Sequence, residues 1–388
     1  MTHRTAAHNL VLIDGQEQRT KDRGGSVELF AVSPTVKAME ARSEAYAQAS
    51  EYRRTVVQIA HDREHDYVLD IFRVKGGRRR DYLFHGPGTS YTVEGLKSAE
   101  EGVDENRKTY EATFALPDAI GFVENKRYAS SIAPWRVTWT LDGDYEFTAR
   151  VPANPTERVT LGDGWGQRDH RNSDRGSVLP YIVRTREGAT DTPDVFVTVF
   201  EGGQKGDGRV KGVRLVNGLD SVDPSAVCIA VDTLSGTDFI VSTLNGGPAE
   251  FRDADHWLRT DARLAVRLAG AEATTLALVA GTHLETDDGR LDADQAQLAG
   301  TVRSVGSEAG DSWIELDSTF PTGWDVSGGI VFVEDATGHT RAYPIRESRV
   351  TDTGQTRLYT KTNYRGFEAI SATRWWIQTV LSCSVESR

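Results

Sequence analysis

Three consecutive arginines, Arg78, Arg79 and Arg80, form a group of cationic side chains that could bind an anion. A guanidinium group donates two parallel hydrogen bonds to a planar anion, so the triplet could hold the carboxylates or sulfates of a glycan. The triplet lies at the tip of a predicted hairpin, between the segments Tyr67–Val74 and Asp81–His85. A solvated hairpin tip is the simpler interpretation, and we favour it because charged side chains are mostly exposed.

The histidines give weaker signals. His61 and His65 are four residues apart, a spacing that pairs metal ligands on a helix. The residues between them are typical of a turn between strands, so we expect a solvated turn instead. His85 ends a strand-like segment, where a histidine with satisfied hydrogen bonds is the favoured interpretation. The sequence contains no nucleotide-binding loop, serine nucleophile elbow or zinc-protease helix.

The composition is that of a globular protein with a large core, with 388 residues, 38% hydrophobic and 26% charged. The net charge of -12 argues against nucleic acid as the main partner but allows a local basic patch to bind an anionic glycan. No apolar window approaches the roughly 18 residues of a membrane span, so no membrane partner is expected. Cys228 and Cys383 exclude a disulfide framework, and we expect two buried thiols.

Strand-like segments rich in Val, Ile, Thr, Tyr and Phe recur along the chain, separated by Gly, Asp, Asn and Pro. Both faces of Val195–Phe200 are apolar, which suits a strand inside a sandwich. The pattern predicts an all-β fold, with a large β-sandwich followed by a smaller β-sandwich module. We place the large sandwich at residues 1–285 and the small C-terminal β domain at residues 286–388, joined by the polar run Glu285–Gln297.

A few segments carry more specific expectations. Pro34–Arg54 is rich in Ala, Glu, Met and Arg and lacks Gly, which favours a short helix or a helical loop. Trp135 and Trp139 would share one face of a strand, so they are expected in the core rather than stacked on sugars. Trp375 and Trp376 would point to opposite faces, so one of them should be core.

Three ordered motifs resemble the β-sandwich of heparinase II/III-like polysaccharide lyases. Ala7–Gly15 is similar to the family pattern HNTVxVDG, and Tyr67–Gly86 is similar to VDxFRVxGGxxxDYxxHG. A later strand that leads to Glu201 is similar to FxxVxE. The resemblance covers the predicted large sandwich at motif level, whereas the rest of the chain fits only by position and β character.

The resemblance implies the C-terminal part of a lyase that cleaves acidic, uronic-acid-containing polysaccharide by β-elimination. In such a reaction a base removes a proton while other side chains neutralise the uronate carboxylate. Complete members take these groups from an N-terminal helical toroid and from the start of the sandwich, and none of those motifs is matched here. The chain would then be a fragment, the product of a split reading frame or one subunit of a two-chain enzyme. It would be inactive alone, and its partner would be the missing toroid or a companion chain.

The resemblance also assigns expectations to single residues. His8 matches a zinc ligand of several members, but the partner ligands there, a histidine and an aspartate, are unmatched, so any structural zinc site would be incomplete. A structural or exposed His8 has equal weight. Asn9 is expected to fix the backbone where the strand begins. His85 would face the toroid cleft of a complete enzyme, which makes it, with the arginine triplet, a candidate substrate-binding residue.

The alternative function is a non-catalytic carbohydrate-binding or structural β-sandwich protein, and a third is a sandwich from an unrelated glycan enzyme. A lyase assay on uronate polymers should be negative for this chain alone if the first interpretation holds. That interpretation also predicts an apolar face on the first sheet that is exposed in the absence of a helical neighbour. Complete members are commonly secreted or periplasmic, but these residues do not define a location.

Overall fold

The computed structural model consists almost wholly of strands, which confirms the all-β fold class. Among the described residues the only helical segment is the 3-10 turn Thr5–Ala7. No helix in this part of the chain is long and apolar enough to cross a lipid bilayer. The structure describes residues 4–21, 24–98, 118–166, 171, 173–174, 176–189, 191–308, 311–318, 320, 326–360 and 372–386.

The strands are numbered in chain order. The first fourteen are β1 (Val11–Ile13), β2 (Gly25–Val32), β3 (Val36–Ser43), β4 (Ala49–Ala60), β5 (Asp66–Gly76), β6 (Arg79–His85), β7 (Tyr91–Glu94), β8 (Lys97–Ser98), β9 (Glu124–Ser130), β10 (Trp135–Leu141), β11 (Tyr145–Val151), β12 (Arg158–Trp165), β13 (Val178–Glu187) and β14 (Asp194–Gln204). The others are β15 (Gly212–Leu215), β16 (Asp220–Ser221), β17 (Val227–Asp232), β18 (Thr237–Ser242), β19 (Ala249–Arg252), β20 (Trp257–Thr260), β21 (Leu264–Leu268), β22 (Ala273–Val279), β23 (His283–Thr286), β24 (Arg290–Asp292), β25 (Gln297–Glu308), β26 (Asp311–Leu316), β27 (Ile330–Asp335), β28 (Thr340–Val350), β29 (Thr356–Thr360), β30 (Ala372–Gln378) and β31 (Val380–Glu386).

The chain forms two compact units, and the first comprises Met1–Arg23, Glu44–Asn217 and Ile229–Phe239. It contains a sandwich in which the first sheet has the order β1-β6-β13-β12-β9-β8 and the second contains β4-β5-β14-β11-β10-β7. Alternate side chains of both sheets form one shared core, and the largest fully buried ones include Trp139 and Phe84. This burial of aromatic surface is the main force that holds the two sheets together.

Charged side chains are also buried inside the first unit. Arg184 on β13 donates through Nε to Glu157 Oε1 at 2.6 Å, and Arg186 Nη2 lies 3.1 Å from Glu157 Oε2. The Arg184 guanidinium also lies over the rings of Tyr82 and Phe196, at 5.4 and 5.5 Å from their centroids. A buried charge without a partner is costly, so this group favours a single arrangement of β12 and β13.

The second unit comprises Gly24–Ser43, Gly218–Cys228 and Ile240–Arg388. It contains the hairpin β2–β3, the sheet β16-β19-β20-β23-β24 and the antiparallel strands β21, β22 and β31. The strands β25-β26-β29-β28-β27-β30 form a closed barrel around a separate apolar core. The sequence predicted a small sandwich at this point, and closure of the strands into a barrel removes the open sheet edges. The predicted domain boundary at residue 285 stays a prediction.

Two sequence-based expectations were wrong about local structure. The segment Pro34–Arg54, predicted to be helical, forms β3 and the start of β4. Its alternate residues Val36, Ala38 and Glu40 are buried, and Glu40 Oε1 pairs with Arg263 Nη2 at 2.5 Å, so tertiary contacts override the weak helix propensity. The predicted linker Glu285–Gln297 is in part the hairpin β23–β24, whose polar composition reflects exposure.

Other expectations were confirmed. Trp135 and Trp139 are both buried on the core side of β10, and Trp375 is buried inside the barrel. Cys228 is buried as expected, whereas Cys383 on β31 is only partly buried. The two strands of the predicted hairpin that carries the arginine triplet correspond to β5 and β6.

Candidate functional site

Asn9 and His85 join the start of the chain to the end of β6. Asn9 Oδ1 accepts the backbone N–H of His85 at 3.1 Å, and its Nδ2 donates to the backbone carbonyl of His85 at 3.3 Å. Asn9 therefore fixes the backbone at the strand entry, as predicted. The His85 ring lies 5.0 Å from the ring of Tyr181 and has Nε2 3.4 Å from Ala7 O. Substrate binding by His85 stays a prediction.

His8 is exposed beside this corner. A zinc site needs three or four ligands drawn from His, Cys, Asp and Glu. In the part of the chain that the structure describes, no three such side chains are grouped so that they could hold a metal ion. The described residues therefore do not fit a zinc site at His8, and zinc binding stays a prediction of the resemblance.

The arginine triplet is mostly engaged within the chain. Arg80 is 1% exposed and its Nε donates to Asp194 Oδ2 at 2.7 Å, so the solvated interpretation is wrong for this residue. Arg79 donates through Nε to Asp81 Oδ2 at 2.6 Å, while Arg78 is exposed at the tip. Arg79 and Arg80 are less exposed than Arg78 because each of them is paired with a carboxylate. Glycan binding by the triplet stays a prediction, with Arg78 as its exposed member.

The outer face of the first sheet is covered by other parts of the same chain. Ala6, Ala119, Phe122 and Val123 pack on the outward side chains of β1, β6 and β13 in an apolar cluster. The large hydrophobic side chains exposed in the described part of the first unit lie on separate elements, namely Ile132, Tyr145, Val178 and Leu234. The exposed apolar face expected beside a missing helical neighbour is therefore not found among the described residues, and such a partner stays a prediction.

A polar groove lies on the second sheet, where β7, β10, β11 and β14 run side by side. Strand alternation creates it, because Val137 and Trp139 of β10 face the core while Arg136 and Thr138 face the groove. The cavity measures about 310 Å³, and its other lining residues are threonines, glutamates, glycines and Gln204 of these four strands and the loop after them, together with Arg150.

Two arginines lie side by side at the centre of this groove. Arg136 is directly opposite Arg150 on β11 and opposite Glu94 on β7. Arg136 donates to the two carboxylate oxygens of Glu94 at 3.2 and 2.8 Å, and Arg150 Nη1 donates to Glu201 Oε2 at 3.0 Å. Each cation therefore has one glutamate on its outer side and a like charge on its inner side.

The hydrogen-bonding capacity of Arg150 is incompletely used. The residue is 9% exposed, its Nε is buried without an acceptor, and Glu201 supplies its one hydrogen bond among the described residues. Burial lowers the pKa of Arg150, the Glu201 carboxylate opposes this change, and the charge of Arg136 adds to it. A guanidinium has five N–H donors, so Arg150 has donors left for a ligand.

A second cavity continues from the first. It measures about 300 Å³ and shares Glu94, Arg136 and Arg150 with the first cavity. Pro134 and the exposed Lys211 line its far side. We call the two cavities together the Arg150 groove; its two arginines lie at the junction of the two cavities.

A separate polar cluster surrounds Asp238, which is fully buried. His61 Nε2 lies 2.7 Å from Asp238 Oδ2, and the hydroxyl of Tyr67 donates to the same oxygen at 2.8 Å. The hydrogen bond to Asp238 raises the pKa of His61, although burial opposes this change. The segment from His61 to His65 is a turn as predicted, but His61 is paired rather than solvated. The cluster links the β4–β5 turn to β18.

The sequence did not predict the Arg150 groove, which lies on β10 and its neighbour β11, although Trp135 and Trp139 were expected on one strand. The signal that could have found it is the alternation of polar residues along these strands, at Arg136 and Thr138 and at Glu146, Thr148 and Arg150. Such alternation indicates a face away from the core. It does not show which strands are neighbours, and that pairing is what brings the two arginines together.

No protein-family model matches the sequence, and no curated protein matches it. Solved structures with a similar arrangement include a heparan sulfate lyase from Pedobacter heparinus, with 11% identity, 62% of this chain and 31% of that chain covered, and a TM-score of 0.41. A heparinase III gene product has 11% identity over 62% of this chain and 30% of its own, with a TM-score of 0.42. Another heparinase III has 12% identity over the same shares and a TM-score of 0.38. The chain spans about a third of the length of these structures.

Proposed function

We propose that this protein binds an acidic polysaccharide, without cleaving it, in the Arg150 groove. The observation that carries the proposal is the state of Arg150, which is nine-tenths buried, lines both cavities and, among the residues that the structure describes, has one acceptor for its five donors. A buried donor without an acceptor is unfavourable by about 1–3 kcal/mol, so such a group suits a site in which a ligand supplies the acceptor.

The rest of the groove suits a sugar chain. Thr92, Thr138 and Thr148 line the first cavity with hydroxyl groups, and Gln204 adds an amide. Sugar hydroxyls both donate and accept hydrogen bonds, as do these side chains. Two glycines at the end of β14 and two in the loop that follows also line the cavity, which lets a ligand approach the backbone closely.

The acidic character of the ligand is inferred from the cations. Arg136 and Arg150 are directly opposed across two strands, and Lys211 is exposed at the far side of the second cavity. An anionic group that lies between the two arginines would reduce their mutual repulsion. A carboxylate or sulfate on a sugar ring has the planar or multidentate oxygens that guanidinium groups bind best.

Cleavage by β-elimination is the second candidate, and it rests on the sequence resemblance. The described residues that line the Arg150 groove include carboxylates, guanidinium groups and Lys211, but neither histidine nor tyrosine. General-base chemistry near neutral pH usually uses a group whose pKa lies close to the working pH. We therefore expect binding of uronate polymers without the rise in ultraviolet absorbance that an unsaturated product would give.

The test is the affinity of Arg150→Gln for an oligogalacturonate, measured by calorimetry. Because a hydrogen bond to a charged group contributes about 1.5–3 kcal/mol, we expect Kd to rise roughly ten- to hundredfold. Arg158→Gln is the matched control, since Arg158 is an exposed arginine of the first sheet that is paired at 3.5 Å with Glu187. Equal affinity of the two variants, or no binding by the unaltered protein, would contradict the proposal.

A further inference from the structure

The carboxylate of Glu201 accepts hydrogen bonds from three donors. Its Oε2 accepts Arg150 Nη1 at 3.0 Å, and its Oε1 accepts the backbone N–H groups of Arg209 and Val210 at 2.6 and 3.0 Å. The Glu201 side chain is 11% exposed, as is that of Arg150. One buried carboxylate therefore holds both the central cation of the groove and the chain that returns after the loop.

The end of β14 and the loop that follows it form one wall of the Arg150 groove. Gly202, Gly203 and Gln204 of β14 line the cavity, as do Gly206 and Gly208 of the loop. A Cβ at position 208 would lie 3.0 Å from Glu201 Oε2, so glycine allows the backbone to pass close to the carboxylate. The position of this wall is thus tied to the same side chain that holds Arg150.

We infer that Glu201 is a positioning residue, which holds the Arg150 guanidinium so that its remaining donors face the ligand. This inference rests on the proposed function and assigns Glu201 a role in selecting acidic over neutral sugars. Glu201 fixes Nη1 of Arg150 and leaves Nη2 without a partner among the described residues. It also opposes the effect of burial on Arg150, and so favours the charged form that attracts an anion.

The test compares Glu201→Gln with Glu187→Gln. Glutamine at 201 has almost the same shape and can still accept the two backbone N–H groups, but it removes the charge that holds Arg150. Glu187 lies on the first sheet, outside the Arg150 groove, and pairs with Arg158 at 3.5 Å, so its variant also removes a carboxylate from an arginine without touching Arg150. Circular dichroism and the thermal midpoint check that both variants fold.

The measurement is the Kd for an oligogalacturonate and for the same oligosaccharide with its carboxyl groups reduced. We expect Glu201→Gln to lose about tenfold or more in affinity for the acidic ligand and to change the neutral ligand by less than about twofold. Glu187→Gln should leave the affinity for both ligands unchanged. In an Arg150→Gln background, Glu201→Gln should have no further effect, because the two residues act as one unit.

Several results would overturn the inference while leaving the proposed function intact. An equal loss for both ligands would show that Glu201 only supports the wall, and unchanged affinity would show that Arg150 is held by other contacts. A gain in affinity for the acidic ligand would show that Glu201 competes with the ligand for Arg150. If the unaltered protein binds neither oligosaccharide, the proposed function itself fails, and the inference fails with it.

Discussion

At the scale of single residues, the buried arginines differ in how completely their N–H donors are paired. Arg80 and Arg184 are each 1% exposed, and both contact carboxylates at 2.6 to 2.7 Å. Arg150 is 9% exposed, and in the described part of the chain its Nε has no acceptor. This contrast separates arginines that stabilise the fold from one that can bind a ligand.

Neither role could be assigned from sequence. Arg80 belongs to a triplet that reads as a solvated tip, and its partner Asp194 lies 114 residues further along the chain. Arg150 precedes an ordinary apolar strand end, and its partner Glu201 is 51 residues away. Side-chain pairing over such separations is fixed by strand order, which a periodic pattern of residue types does not contain.

His61 makes a pH-dependent contribution to stability that can be measured. Its pKa is raised above the usual 6.5 by the hydrogen bond to Asp238. A raised pKa in the folded state means that the contribution is fully present below about pH 6.5 and is lost as the pH rises through the folded value. We therefore expect the stability difference between the unaltered protein and His61→Gln to be larger at pH 5.5 than at pH 9, by denaturant unfolding.

The control for this prediction is His65→Gln. The His65 ring lies 2.8 Å from Asp62 Oδ1 on the same turn, and a pair this accessible to water contributes little to stability. Its stability difference should change little over the same pH range. If the stability difference between the unaltered protein and His61→Gln is the same at both pH values, the contact with Asp238 does not depend on protonation of the imidazole.

At the scale of strands and sheets, alternation of residue types was a reliable guide where both propensity and burial agreed. The segments that became β5, β10 and β14 were predicted as strands, and Trp135 and Trp139 of β10 lie in the core as expected. Pro34–Arg54 was predicted wrongly because Ala, Glu and Met favour a helix in isolation. In that segment, the pairing of β3 with β2 and the buried contact of Glu40 with Arg263 determine the structure.

The buried ion pairs of β13 give a prediction at this scale. Glu157 is 2% exposed and contacts both Arg184 and Arg186. Glu157→Gln would remove the counter-charge of Arg184 and one of the two carboxylates near Arg186, the other being Asp194 at 3.6 Å, so we expect a loss of about 3–5 kcal/mol in the free energy of unfolding. Burial lowers the pKa of Arg186, and the Glu157 carboxylate opposes this change.

Glu187→Gln is the matched control for Glu157→Gln. Glu187 is the last residue of β13, the strand that carries Arg184 and Arg186. It pairs with Arg158 at 3.5 Å, but both side chains are more than half exposed. The expected change in its unfolding free energy is below about 1 kcal/mol. Urea unfolding of the two variants measures the contrast, and a loss at Glu157 no larger than that at Glu187 would refute the stabilising role of the buried pairs.

At the scale of the whole molecule, composition and strand pattern were enough to predict an all-β protein with an acidic net charge. They were not enough to predict the closed barrel of β25 to β30, because closure depends on which strands become neighbours. The functional site shows the same limit. The net charge of -12 describes the average surface, whereas the Arg150 groove concentrates two arginines at one point through strand pairing.

The sequence resemblance predicted an acidic polysaccharide as partner, and we propose the same class of ligand for the Arg150 groove, which consists of a different set of residues. The predicted contacts, His85 and the arginine triplet, lie on β6 or at its start, in the first sheet. The Arg150 groove lies on the second sheet. Variants at the two places therefore distinguish the sequence-based site from the structural one.

The most direct test of the central claim is a titration of isotope-labelled protein with an oligogalacturonate, followed by the Nε–H signal of Arg150 in ¹⁵N-correlated spectra. The signal is assigned by its loss in Arg150→Gln. The account predicts a saturable shift of the Arg150 signal, while that of Arg158 stays unchanged. Binding that shifts the signals of Arg78 or His85 and leaves Arg150 unchanged would contradict it.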